Sequence, residues 1–158
     1  MGLLHDTAEA VRQLLNDAPL SVPVEAELCY DTELPLEDLD TLHVSVLAAS
    51  LVQEPSSRAS VAYNIGIDVA VRYRFGVYDQ VATTRAIDVD SVGAYVSLLE
   101  EIAEHLADPD KRVLTGVAGQ PAWVSNEIRF PWVPQQLREH RQYTGILRAT
   151  FFCDQDLS

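Results

Sequence analysis

The sequence lacks most features that reveal a protein's location or chemistry directly. No apolar run approaches the roughly 18 residues needed to cross a bilayer, so no membrane span is expected. The first ten residues, MGLLHDTAEA, have neither the basic start nor the apolar stretch of a secretory signal, which predicts a cytoplasmic location. Only two cysteines are present, Cys29 and Cys153, and neither has a partner at CxxC or zinc spacing. We expect buried thiols, and whether the two lie close together stays open.

Positive charge is also scarce. The chain carries 11 lysine and arginine residues against 24 acidic ones, a formal net charge of −13. Binding to a phosphate backbone requires a basic surface, so this balance argues against nucleic-acid binding. Residues 1–60 hold 11 acids and 2 bases, whereas residues 61–158 hold 13 acids and 9 bases. This asymmetry suits copies that pack acidic surface against basic surface, and it equally suits a merely soluble acidic protein.

No catalytic or metal-binding motif is found. The histidines have no HExxH or HxH spacing, and no GxSxG, Walker or dinucleotide glycine pattern occurs. Glu101 and His105 share a predicted helix, but the second helix of a carboxylate metal site is missing. The acidic segment 31–40 lacks the glycine and the final glutamate of an EF-hand loop, and its role stays open. We therefore expect no enzyme, no catalytic residue, no metal and no cofactor.

Hydrophobic periodicity predicts a single α+β domain over residues 1–158. Helical spacing indicates a first helix over 6–18, opened by an Asp6 capping box, and a second from residue 88 or 90 to 106. Period-two alternation indicates strands over 22–30, 41–52, 63–75, 113–117, 122–128 and 141–153. The polar segment 53–58, which contains Pro55, predicts the loop of a long β-hairpin arm. The order of elements favours a largely antiparallel, mixed sheet with two helices packed on one face.

Strand 63–75 is long enough to suggest a role in assembly. Its thirteen residues, at about 3.3 Å each, span roughly 43 Å, which exceeds the usual strand. We expect such a strand to overhang its own domain and to lie on a neighbouring molecule. Trp123, Phe130 and Trp132 occur near prolines and fit either a core or an interface anchor. Trp132 is the one that we expect at an interface.

Three segments together are similar to one family of viral proteins. They are LHVSVLAASLVQEPSSRASVAYNIGIDVAVRYRF, the helix VGAYVSLLEEIAEHL and the ending LREHRQYTGILRATFF. Their layout resembles the tail terminator and tail-completion (neck) proteins of long-tailed bacteriophages, from about Thr41 onward. The resemblance implies a structural virion protein that forms a ring at the head-proximal end of the tail. Such a ring terminates the tail tube and joins it to the head-side connector.

The resemblance also implies partners and surfaces. The partners would be further copies in a ring, expected to be hexameric, the tail tube protein and a connector or neck protein. DNA would pass through the ring without specific binding, no membrane would be involved, and the virion would be assembled in the host cytoplasm. The family's surfaces, sheet edges and loops, map to 53–60, 63–75 and 138–148. The residues expected at the subunit interface are Arg58, Arg72, Arg74, Trp132, Arg138, Arg141 and Arg148.

Two other classes of function stay open at this point. The first alternative is a small-ligand or regulatory binding α+β domain without catalysis, with Trp123 and Trp132 in a pocket. The second is a hydrolase or transferase whose active-site residues are dispersed along the chain. The position within the phage neck and the number of copies in the ring also stay open.

Overall fold

A computed structural model of the protein describes residues 2–29, 42–75 and 89–156. The acidic segment 31–40 and the predicted helix cap Asp88 lie outside these ranges. The elements in chain order are α1 (Leu3–Asn16), β1 (Ala26–Leu28), β2 (His43–Pro55), β3 (Ser60–Arg74), α2 (Val89–Leu106), β4 (Ala122–Phe130), α3 (Pro134–His140) and β5 (Gln142–Asp156). Across the described ranges, no helix combines the length and the hydrophobicity that crossing a bilayer demands.

The strands form one five-stranded sheet in the order β1-β2-β3-β5-β4. The short β1 runs parallel to β2, and every other neighbouring pair is antiparallel. The chain therefore has a mixed, largely antiparallel sheet, and the predicted α+β class is confirmed. The central pair is β3 and β5, which match residue for residue from Ser60 opposite Asp156 to Arg74 opposite Gln142.

Both long helices cover the same face of the sheet. Val11 and Leu15 of α1, together with Leu99 and Ile102 of α2, are fully buried in one core with Ile65 of β3. These helical residues follow three- and four-residue spacing, so each helix presents a single apolar stripe to the sheet. We call the opposite side of the sheet the outer face.

The beginning of the chain differs from the prediction in two places. Helix α1 starts at Leu3 after an extended Gly2, so Asp6 lies in its first turn and the predicted capping box is wrong. The helix starts earlier because Leu3 packs against the core. Strand β1 is only three residues long, whereas a strand over 22–30 was expected. The Asn16 side chain binds both the amide (2.6 Å) and the carbonyl (3.2 Å) of Ala26 and so occupies the second edge of β1.

Two further segments differ from the prediction. Residues 113–117 form turns instead of a strand, with one bridge between Val113 and Ala122, because Leu114 and Val117 turn inward to join the core. Strand β2 continues through Pro55, beyond the predicted end at residue 52. A proline is tolerated there because β1 pairs only with residues 44–46, so β2 is an edge strand at Pro55.

Candidate subunit interface

The outer face carries the side chains that alternate away from the helices. On β3 the even-numbered residues point to the outer face. Residues of β2, β5 and β4 that lie in the same rows as these residues point to the same face. Across the middle of this face, Leu47, Asp68, Arg148 and Glu127 lie in one row over four strands. This row divides the outer face into a distal end, near the β2–β3 turn, and a proximal end, near α3.

An ion pair holds the middle row together. Arg148 donates through Nε and Nη2 to the two carboxylate oxygens of Asp68, with an Nη2–Oδ2 distance of 3.1 Å. This hydrogen bonding raises the pKa of Arg148, and the nearby Glu127 carboxylate adds to the effect. Both partners are mostly buried, so the pair is shielded from solvent more than a surface ion pair is.

The distal end carries exposed apolar and acidic side chains in adjacent rows. Val52 and Phe152 lie in one row, on either side of β3, and are 48% and 39% exposed. In the next row, Glu54 and Asp154 flank β3 in the same way and are exposed. We call these four residues the distal patch. Its two rows are two residues apart along the strands, a distance of about 7 Å.

Serines order the turn next to the distal patch. Within the turn, Ser60 Oγ lies 2.8 Å from Ser56 Oγ and 2.6 Å from Ser57 Oγ. Ser56 Oγ also donates to Asp154 at 2.8 Å, which connects the turn to β5. The predicted hairpin is present, but it is not a separate arm, because β5 pairs with β3 along its whole length.

The proximal end is aromatic and rich in arginine. Phe130 and Trp132 are 51% and 45% exposed at and just beyond the end of β4. Arg129, which precedes Phe130, and Arg138 of the following helix α3 are also exposed. A bulge between Ile128 and Phe130 interrupts the pairing of β4 with β5 here. We call Arg129, Phe130, Trp132 and Arg138 the proximal patch.

Buried tyrosines support the proximal patch from inside. The Tyr143 hydroxyl donates to the carbonyl of Pro131 at 2.6 Å, which fixes the backbone between Phe130 and Trp132. The Tyr143 ring stacks on Tyr95 with centroids 5.3 Å apart. Burial raises the pKa of Tyr143, and burial together with the neighbouring Tyr73 raises the pKa of Tyr95 to about 12.

The seven residues expected at the interface do not lie together. Trp132 and Arg138 are in the proximal patch, whereas the exposed Arg58 lies in the β2–β3 turn at the distal end. Arg72 is fully buried and donates from Nη2 to Ser45 Oγ at 2.7 Å, so it offers no surface to a neighbour.

The remaining three arginines are only partly exposed. Arg74 ends β3, and Arg141 follows α3 in a left-handed conformation with φ 51°. Arg148 is engaged with Asp68 in the middle row. Glu54 falls in the segment 53–60 that was expected at the surface, whereas Val52, Phe152 and Asp154 were not predicted. The alternating pattern around Phe152 was visible, but its position beside Val52 depends on the pairing of both strands with β3.

Other candidates from the sequence have structural roles. Glu101 accepts hydrogen bonds from the amide (2.7 Å) and the hydroxyl (2.6 Å) of Ser21, and this interaction lowers its pKa. His105 lies 3.5 Å from the Lys111 ammonium. In residues 2–29, 42–75 and 89–156, no three histidine, cysteine or acidic side chains are grouped as metal ligands would be.

The two tryptophans lie at opposite ends of β4. Trp123 donates to Asn126 at 3.0 Å and stacks under the Arg112 guanidinium, 5.1 Å from its ring centroid. Trp132 lies beyond Phe130, which is seven residues further along β4 or about 23 Å away, so the two rings are not expected to line one pocket.

The cysteines are also separated. Cys29 follows β1 and Cys153 lies on β5, three strand positions away or about 14 Å. A disulfide needs Cα atoms within about 7 Å, so the two cysteines are not joined. Burial and the neighbouring Asp154 raise the pKa of Cys153.

A scan against models of protein families finds no match to this chain, and a search among curated proteins finds no similar sequence.

Proposed function

We propose that this protein is a structural virion protein that forms a ring at the head-proximal end of a phage tail. In this role it terminates the tail tube and joins the tube to the head-side connector. The ring consists of copies of the chain, in the number six that is common for such rings, and the protein acts by assembly instead of catalysis.

The observation that carries this proposal is the apolar surface of the outer face. Val52, Phe130 and Phe152 expose large apolar side chains there, and Trp132 exposes another just beyond the end of β4. Exposed apolar groups that are grouped and rimmed by charge mark surfaces for other proteins. Trp and Arg, which the proximal patch combines, are enriched among the residues that dominate binding energy.

The charge of the protein supports the same role. Its net charge of −13 gives a ring of several copies a strongly negative field. An acidic channel wall repels phosphates, so DNA passes through without being held. A ring whose bore is lined by arginine would contradict this part of the proposal.

The experiment that tests the proposal is a measurement of mass in solution. The purified protein is examined by light scattering and native mass spectrometry, alone and mixed with the tail tube protein. We expect multimers, with rings visible by electron microscopy, or capping of tubes. A protein that stays monomeric at every concentration, with and without tubes, would overturn the proposal. A monomer that binds a metabolite would favour a ligand-binding domain instead.

A further inference from the structure

We propose that the distal patch of one copy binds the proximal patch of a second copy, so that copies associate head to tail. This inference rests on the proposed function, because it names the surfaces through which the ring forms. It assigns Val52, Glu54, Phe152 and Asp154 to one side of each contact. Arg129, Phe130, Trp132 and Arg138 form the other side.

The two patches are complementary in chemistry. Each places exposed apolar side chains beside exposed charge, with carboxylates in the distal patch and guanidinium groups in the proximal patch. Arg58 adds one positive charge at the distal end, against the two carboxylates of Glu54 and Asp154. An arginine guanidinium can form two parallel hydrogen bonds with one carboxylate, whereas a lysine ammonium acts as a point charge. The arginines of the proximal patch therefore suit the carboxylates of the distal patch.

Arginines outnumber acidic residues at the proximal end of the described chain. The exposed Arg129 and Arg138 and the partly buried Arg74 and Arg141 lie there, against the two carboxylates of Glu127 and Glu139. The guanidinium groups of Arg129 and Arg138 remain exposed at the protein surface. This end therefore presents positive charge next to the rings of Phe130 and Trp132.

The positions of the patches determine the type of association. Phe130 pairs with Ile146 of β5, and Phe152 lies six residues further along the same strand, about 20 Å away. Different patches at opposite ends of one chain make a heterologous contact, which repeats in one direction and closes into a ring or continues as a filament. Contact between two distal patches would instead bring carboxylates together, which is unfavourable.

The sheet edges indicate that side chains, not added backbone pairing, make this contact. Strand β2 has an irregularity between Ala48 and Ser50 and ends in Pro55, and β4 has two irregularities. Bulges and proline at edges discourage pairing with another strand. The exposed outer-face side chains therefore supply the specific contacts.

Charge reversal of each patch tests the inference. The distal variant carries Glu54→Lys and Asp154→Lys, and the proximal variant carries Arg129→Glu and Arg138→Glu. Each variant alone should need about tenfold or more protein to assemble, since like charges then face each other. An equimolar mixture should assemble again, because each reversed patch then meets a patch of opposite sign on the other variant. Native mass spectrometry should show the two variants at equal numbers in the same rings.

Controls keep the result interpretable. Glu100→Lys with Glu104→Lys makes the same change of charge on exposed positions of α2 and should assemble like the unmodified protein. Because Asp154 accepts a hydrogen bond from Ser56, Glu54→Lys alone is a second distal variant that spares this bond. Circular dichroism confirms that each variant is folded.

The outcomes separate the two proposals. Loss in each variant and recovery in the mixture support the head-to-tail contact. Unchanged assembly of folded distal and proximal variants would overturn the contact while leaving the ring proposal standing. Variants that lose assembly and do not recover when mixed would also overturn the pairing of these two patches. An unmodified protein that never assembles would overturn both proposals.

Discussion

Arg148 lies directly opposite Asp68 on the neighbouring strand, and its guanidinium donates to both oxygens of that carboxylate. The pair sits at the middle of the β3–β5 ladder and fixes the register of the two longest strands. A slip of one residue would place Arg148 on the helix-covered face, where its charge would be buried without a partner. The positions of both outer-face patches therefore depend on this register.

Replacing Arg148 should destabilise the protomer. Arg148→Met removes the guanidinium and leaves the mostly buried Asp68 carboxylate without it, which should cost about 1–3 kcal/mol in the free energy of unfolding. Urea titration measures the change. Asp68→Asn with Arg148→Met should recover part of the loss, because the isolated charge is then removed. Additive effects of the two substitutions would show that the residues are not coupled.

Gly145 should not tolerate a side chain. A methyl group at this position would overlap the Tyr143 hydroxyl and Cδ1 of Leu99, in a fully buried part of the core. Gly145→Ala should destabilise the protein by about 1–3 kcal/mol or more, as overpacking does. The matched control is Gly93→Ala in α2, where an added methyl group has open space outside its own helix and should stabilise by about 0.5–1 kcal/mol. Equal melting temperatures of the two variants would contradict this packing.

Tyr143→Phe should loosen the proximal patch. The substitution keeps the stacked ring but removes the donor to the Pro131 carbonyl, at a cost of about 1 kcal/mol. The fluorescence of the adjacent Trp132 should change, because its backbone loses this anchor. Tyr63→Phe is the control, since its hydroxyl makes a long 3.5 Å contact with Gln53, and its loss should cost less than about 0.5 kcal/mol. Similar losses in both variants would argue against a special role for Tyr143.

His105 should make stability depend on pH. Burial and the neighbouring Lys111 lower its pKa in the folded protein below the ordinary 6.5, although Asp108 and the Leu14 carbonyl act in the opposite direction. Between the folded pKa and 6.5 the unfolded chain binds more protons, so stability falls as the pH falls through this window.

The comparison of His105→Gln with the unmodified protein measures this effect. Urea titrations at about pH 7.5 and about pH 5.5 bracket the ordinary pKa of histidine. The variant should lose less stability than the unmodified protein between the two conditions, because the depressed pKa is gone. An equal loss in both proteins would remove His105 as a contributor.

Period-two and helical patterns were enough to predict the class of fold. The alternation of Ile65 and Ile67 with Asn64 and Asp68 predicts the two faces of β3, because side chains on a strand point to opposite sides in turn. The stripe on α2 is equally local. Such patterns predict which side of an element faces the core, and here they predicted it correctly for the longest elements.

Long-range pairing decided what local patterns do not contain. Arg72 and Arg74 are both even-numbered residues of β3, so both point to the outer face. Arg72 is nevertheless fully buried, whereas Arg74 is half-buried. The difference depends on what lies beside each residue, not on the strand itself. Similarly, Pro55 lacks a backbone N–H and therefore predicts a loop. It is instead the last residue of β2, because β1 pairs with residues 44–46 and needs no hydrogen bond from Pro55.

Local sequence thus determined the longest elements, their inward faces and the acidic character of the protein, since these follow from neighbouring residues and composition. The grouping of Val52 with Phe152, the coupling of Asp68 to Arg148 and the burial of Arg72 arose from strand order and register. These features depend on contacts between residues up to a hundred positions apart in the chain. No single segment of the sequence contains both partners, so no local pattern predicts them.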